Sequence, residues 1–195
     1  AMSRRQRQMC IRDRNLSLIL RNGDIIKELR DEVDAYEYDL TIIGGSAKRS
    51  MSHDMIQYIN SSIFVVNNFN KTINYKILLA VDDSPGTKKA VKYGVRVAQA
   101  FGIKVQIITV NENNNSNKAN KKSSENASKM MRRCGVEAET KFEIGKPVDK
   151  IIELAGEDHI IIMGASTQSP IAKFFVGSKP LNVMQNSNCP ILIVK

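Results

Sequence analysis

The 195 residues are enough for one ordinary domain, or for one plus a fragment, and at 42 % hydrophobic and 25 % charged they can build a core as a soluble globular protein does. No apolar run approaches the roughly 20 residues that cross a bilayer, and the basic N-terminus lacks the apolar stretch of a secretory leader. Three scattered cysteines (Cys10, Cys134, Cys189) argue against a zinc centre or a disulfide framework and fit reduced thiols in the cytoplasm, while the net charge of +9 is uneven, +1 over residues 1–70 and +8 over residues 71–195.

Ala1 ahead of Met2 reads as a cloning remnant, and Arg4, Arg5, Arg7, Arg12 and Arg14 follow as a basic cluster. Leu16 to Leu20 is predicted as a strand, and Asn22-Gly23-Asp24 as the turn into a helix that carries Ile25, Ile26, Leu29 and Val33. Asp39 to Ser46 reads as a strand that runs into glycines. His53 falls in a short loop-helix and reads as solvated, and Ile63 to Val66 is a further strand before a junction at Asn67 to Asn74.

From residue 75 strands and helices alternate. Tyr75 to Val81 is a buried-strand pattern. Ser84 as N-cap and Pro85 at the first helical position open a helix with Ala90, Gly94, Val97, Ala98 and Phe101 on one face, which Gly102 ends. Ile103 to Val110 is the next strand. Asn111 to Asn126 reads as a solvated loop, rich in Asn, Ser and Lys, with a helix resuming near Ala127 and ending at Gly135. A second basic cluster, Lys118, Lys121, Lys122, Lys129, Arg132 and Arg133, lies here; neither cluster has the interleaved aromatics of a specific nucleic-acid site. Val136 to Ile144 is a strand, Pro147 starts a helix with Val148, Ile151, Ile152 and Ala155 on one face, and Ile160 to Met163 is the fourth strand. Ser178 to Asn186 is a short last helix before the strand Ile191 to Val194.

Continuous apolar strands separated by amphipathic helices predict an α/β fold, a doubly wound parallel five-stranded sheet covered on both faces. Ligands of such sheets sit beyond the carboxyl ends of the strands at the topological switch point, so the ends at Asp82 and Gly164 matter most. The chain also repeats itself: Asp39 to Ser46 matches His159 to Ser166, and Ile63 to Val66 matches Ile191 to Val194. Residues 1–70 therefore read as the C-terminal half of one repeat and residues 71–195 as a complete one. Half a doubly wound domain cannot close its own core, and should lean on the complete repeat or on another chain.

A strand ending in Gly164 allows close backbone approach to a ligand, and Gly177-Ser178 ahead of a helix offers free N–H groups and a hydroxyl to an anion. Asp82 could accept hydrogen bonds from ribose hydroxyls. These residues resemble the universal stress protein family over residues 75–195, and more weakly over 15–66. The resemblance rests on Val81-Asp82-Asp83-Ser84, on the spacing Gly164, two residues, Thr167, nine residues, Gly177-Ser178, and on Asn188-Cys189-Pro190-Ile191-Leu192-Ile193-Val194. ATP-binding members carry a second glycine where Thr167 stands here. The resemblance implies a universal stress protein-like (adenine nucleotide alpha hydrolase-like) fold and ATP, with or without Mg²⁺, as ligand. It places Asp82 at the ribose or adenine, Ala80, Val110 and Met163 around the base, and Gly164, Thr167, Gly177, Ser178 and Lys179 around the phosphates. Lys173 adds a counter-charge within the loop. The first repeat lacks the Asp-bearing strand and has a loop eight residues shorter, so it is expected to bind no nucleotide by itself.

No P-loop, no H-x-G-H motif and no catalytic triad is legible, and neither His53 nor His159 has a Ser or Cys partner in a recognisable motif. The sequence assigns no catalytic residue, no metal site and at most slow ATP hydrolysis. The function expected is an ATP-regulated stress-response switch that dimerises through its last strand and has no specific nucleic-acid partner. The alternatives are a nucleotide-independent interaction module and a regulatory domain of a membrane transporter, with the N-terminal arginines near lipid.

Overall fold

The computed structural model describes residues 17–44, 49–66, 74–113, 118–165 and 178–195; for 49–53 and 178 it describes the backbone alone. In chain order the elements are α1 (Ile25–Tyr36), β1 (Leu40–Gly44), α2 (Arg49–Tyr58), β2 (Ser62–Val66), β3 (Lys76–Ala80), α3 (Pro85–Phe101), β4 (Val105–Asn111), α4 (Lys118–Arg133), β5 (Ala138–Ile144), α5 (Pro147–Ala155), β6 (His159–Gly164), α6 (Ser178–Asn186) and β7 (Ile191–Val194). The strands form one sheet in the order β1-β2-β7-β6-β3-β4-β5. Every neighbouring pair is parallel except β2 with β7. Within β7-β6-β3-β4-β5 the chain winds outward from β3 through β4 to β5. It then crosses back to build β6 and β7 on the other side, so the switch point falls between β3 and β6.

Both faces of the central strands of this sheet are covered. Val33 of α1, Met55 and Ile56 of α2, Ile151 of α5 and Val183 of α6 pack on one face, with Leu78, Ile108, Ile161 and Ile193. Ala90, Val91 and Val95 of α3 and Ala127 and Met131 of α4 pack on the other, with Ile77, Leu79, Ile107 and Ile162. Burial on two faces is why β6 and β7 read as unbroken apolar runs rather than alternating ones. The helix starting at Pro85 ends where Gly102 adopts φ 64° and donates its N–H to the Ala98 carbonyl. Cys189 is buried beside the Ser187 hydroxyl at 2.9 Å. Burial raises its thiol pKa, which marks packing rather than a nucleophile. His159 is likewise buried, its Nδ1 3.0 Å from the Ala155 carbonyl and 2.7 Å from Asp158 Oδ1. The side chain of His53 lies outside the described residues.

Four expectations need correction. Residues 17–20 are not a strand, and Leu18 and Leu20 are 86 % and 92 % exposed. The strand they match in residues 71–195, β5, pairs with β4; among the described residues no strand precedes them to offer such a ladder. The buried face of α3 is Ala90, Val91, Gly94, Val95 and Ala98, whereas Phe101 is 71 % exposed. Residues from Lys118 onward are helical, not loop. Asn120 and Ser124 point inward there, and Asn120 holds both the Asp83 N–H and Asn111 Oδ1, so tertiary hydrogen bonds override weak helix propensity.

The fourth concerns association. β7 is paired on both edges, with β6 and with β2 of the same chain, so the edge expected to join a second copy is filled from within. The filling is nearly symmetric. Ile63 and Val65 match Ile191 and Ile193 in the repeat, and the register Ile63↔Ile193, Phe64↔Leu192, Val65↔Ile191 exchanges them about the Phe64–Leu192 pair. Two matching strands thus meet around a local twofold axis.

Lys195 stitches this junction: its backbone N–H donates to Ser62 Oγ at 3.3 Å and its ammonium to the Ile59 carbonyl. Burial lowers the ammonium pKa from 10.5 to about 8. Between those values the unfolded chain holds more protons than the folded one, so stability rises with pH across that window. Urea unfolding at pH 8 and at pH 10.5 should show this rise in the wild type and a smaller one in Lys195→Met; equal slopes would refute it.

Candidate functional site

The chain leaves β3 through Val81, Asp82, Asp83 and Ser84 and re-enters regular structure at Pro85. Asp82 organises this turn. Its Oδ1 accepts the Ser84 N–H at 3.0 Å, the Ser84 hydroxyl at 2.5 Å and the Thr87 hydroxyl at 2.6 Å, while its own N–H donates to Thr87 Oγ1 at 3.2 Å. Ser84 makes no side-chain cap bond to the helix; its hydroxyl serves Asp82 instead. One carboxylate oxygen is thus saturated, and the other, Oδ2, takes no hydrogen bond among the described residues. The Asp83 N–H is held by Asn120 Oδ1 at 3.0 Å, and Asn120 Nδ2 donates to Asn111 Oδ1 at 2.9 Å, which ties the turn to the end of β4.

Beside this turn, β6 ends against the first turn of α3. A Cβ on Gly164 would lie 2.4 Å from the carbonyl carbon of Gly86, and a Cβ on Gly86 would lie 2.6 Å from the Ala165 oxygen. No pair of bearing side chains fits there. The strand-end glycine expected to admit a ligand is therefore required first by helix α3. Ala165 N–H donates to the Val194 carbonyl at 2.7 Å, which extends the β6–β7 ladder one residue past the strand.

On the opposite face of the same sheet end, Ala80, Val110 and Met163 lie on three adjacent strands and belong to one apolar cluster with Val148, Ile152 and Ala165. Met163 is buried, and Ala80 and Val110 are half-buried. Lys179, in the first turn of α6, places Nζ 3.8 Å from Glu112 Oε1, just past β4. Of the expected site residues, Ala80, Asp82, Val110, Met163 and Gly164 thus gather at the carboxyl ends of β3, β4 and β6. Ser178 opens α6, with its side chain outside the described set. Thr167, Lys173 and Gly177 lie outside the described residues. Sequence reasoning overlooked Gly86, Thr87 and Asn120; a glycine in the first turn of a helix, where it is costly, was the available signal for the close approach.

The sequence profile of the Universal stress protein family matches residues 74–195. The chain belongs to that family. A universal stress protein of Bacillus subtilis is 28 % identical over 145 residues, covering 62 % of this chain and 98 % of its own. A universal stress protein of Archaeoglobus fulgidus superposes with a TM-score of 0.67 at 19 % identity, over 89 % of this chain; the present chain spans 66 % of that one. Another from the same organism, solved with dAMP, gives 0.53 at 22 % identity over 63 % of this chain and 99 % of its own. A further universal stress protein, solved with cAMP, gives 0.52 at 27 % identity over 63 % of this chain and 97 % of its own. The seven-stranded, mostly parallel sheet is thus the universal stress protein fold, extended by β1 and β2. Among the described residues no helix is long and apolar enough to cross a membrane, and no three His, Cys, Asp or Glu side chains group as a metal site.

Proposed function

We propose that this universal stress protein is a stress-response switch that binds an adenine nucleotide, ATP with or without Mg²⁺, at the carboxyl ends of β3, β4 and β6. The observation that carries the reading is Asp82 at the switch point, with Oδ1 saturated by Ser84 and Thr87 and Oδ2 without a hydrogen bond among the described residues. A carboxylate oxygen so held is a preorganised acceptor for ribose hydroxyls. Ala80, Val110 and Met163 supply an apolar floor for the base; Gly164, Thr167, Gly177, Ser178 and Lys179 surround the phosphates. Related proteins solved with dAMP and cAMP support an adenine ligand.

Residues 71–195 form the binding domain. Residues 1–70 form a partial repeat that binds no nucleotide and covers the edge of β7, in the place of a dimer partner. No side chain is assigned as a base for hydrolysis, so binding itself is the signal.

The test is calorimetry with ATP on nucleotide-free protein, comparing wild type with Asp82→Asn. Asparagine keeps Oδ1 for Ser84 and Thr87 but turns the other oxygen into a donor. A hydrogen bond to a charged group is worth about 1.5–3 kcal/mol, so affinity should fall roughly 10- to 100-fold while circular dichroism shows the variant still folded at the assay temperature. Equal affinity in both proteins, or no binding at millimolar ATP, would remove the reading.

A further inference from the structure

The net charge of +9 has one address. α3 contributes Lys88, Lys89, Lys92 and Arg96 and no acidic residue; α4 contributes Lys118, Lys121, Lys122, Lys129, Arg132 and Arg133 against Glu125. These ten basic residues and one acidic one leave the remaining chain with nineteen of each sign, a balance of zero. The sequence shows the α4 cluster but not its neighbour. Folding lays the two helices side by side on one face of the sheet, Gln99 Nε2 of α3 donating to the Cys134 carbonyl at 2.8 Å. All ten basic side chains are exposed, and among the described residues none forms an ion pair. The apolar floor of the proposed nucleotide site, Ala80, Val110 and Met163, lies on the other face.

We infer that the α3–α4 layer is a docking surface for the phosphate backbone of nucleic acid, bound without sequence preference. Each helix is roughly 25 Å long at 1.5 Å per residue, and duplex DNA carries about one charge per 1.7 Å of axis, so two parallel basic rows face a phosphate array of similar extent. Charge complementarity is the recognition. The layer offers no exposed aromatic besides Phe101 to stack on bases or enter a bilayer, which favours backbone contact over base readout and disfavours a lipid surface, where apolar anchors add to charge.

The experiment is fluorescence anisotropy with the full chain and two labelled 24-base-pair duplexes of unrelated sequence. Both duplexes should bind alike at 50 mM NaCl, and affinity should drop roughly a hundredfold or more at 200 mM, as release of about five counterions requires. The triple variant Lys88→Glu, Lys121→Glu, Lys129→Glu should lose binding. A control with the same charge change elsewhere, Lys27→Glu, Arg30→Glu, Lys146→Glu, should keep most of it. If the triple variant misfolds by circular dichroism, the corresponding Gln variant replaces it. No binding at 50 mM NaCl, equal loss in the control, or binding to phosphatidylserine vesicles without binding to DNA would each overturn the inference.

Discussion

Gly164→Ala is expected to destabilise the protein by about 3 kcal/mol, while the matching change in the first repeat, Gly44→Ala, stays within about 0.5 kcal/mol. The added methyl at 164 meets the Gly86 backbone at 2.4–2.9 Å, and backbone cannot rotate away as a side chain can. Either β6 bends or the first turn of α3 lifts, and each response moves the Asp82 turn. At Gly44 an added Cβ has nothing within 4 Å. Gly86→Ala should behave as Gly164→Ala, since its Cβ meets the Ala165 oxygen at 2.6 Å. Urea denaturation of the three variants measures this directly, and similar losses at 44 and 164 would contradict it.

A second matched pair tests the same asymmetry in the core. Ile162→Ala is expected to cost about 2–5 kcal/mol, the range for a buried large-to-small change, because Ile162 is 0 % exposed in the cluster with α3. Ile42, its counterpart in the first repeat, is 65 % exposed, and Ile42→Ala should cost under about 1 kcal/mol. The two positions match in sequence, but β1 is an edge strand open on this face and β6 a central strand covered by α3. Denaturant midpoints of the two variants read the difference. A loss at Ile42 as large as at Ile162 would show that something covers this face of β1 in solution.

Much of the fold was legible because its signals are local. Ser178–Asn186 and Ile191–Val194 have the ends that composition and punctuation suggest, and α3 starts and stops at a proline and a glycine whose backbone preferences dictate those ends. The failures share one cause. Residues 17–20 look like a strand, yet a strand exists only when a neighbour bonds it. Residues 118–126 look like a loop, yet Asn120 gains a partner in Asp83, far away in sequence, besides Asn111 nine residues before it. At the candidate site, the strand ends at Asp82 and Gly164 could be named from the chain alone, and the Thr87 contact of Asp82, five residues on, is local as well. The reason for glycine at 164 was not legible, because Gly86 acts through a contact between elements distant in sequence.

By itself the sequence determined the alternation of strands and helices, the family and the sum of the charge, all of which are sums or local patterns. Tertiary structure alone decided that β7 pairs with β2 of the same chain, because that ladder joins residues more than a hundred positions apart, which no local pattern encodes. It alone gathered the excess charge onto α3 and α4, because two helices separated by a strand share a sheet face only once the crossover is made.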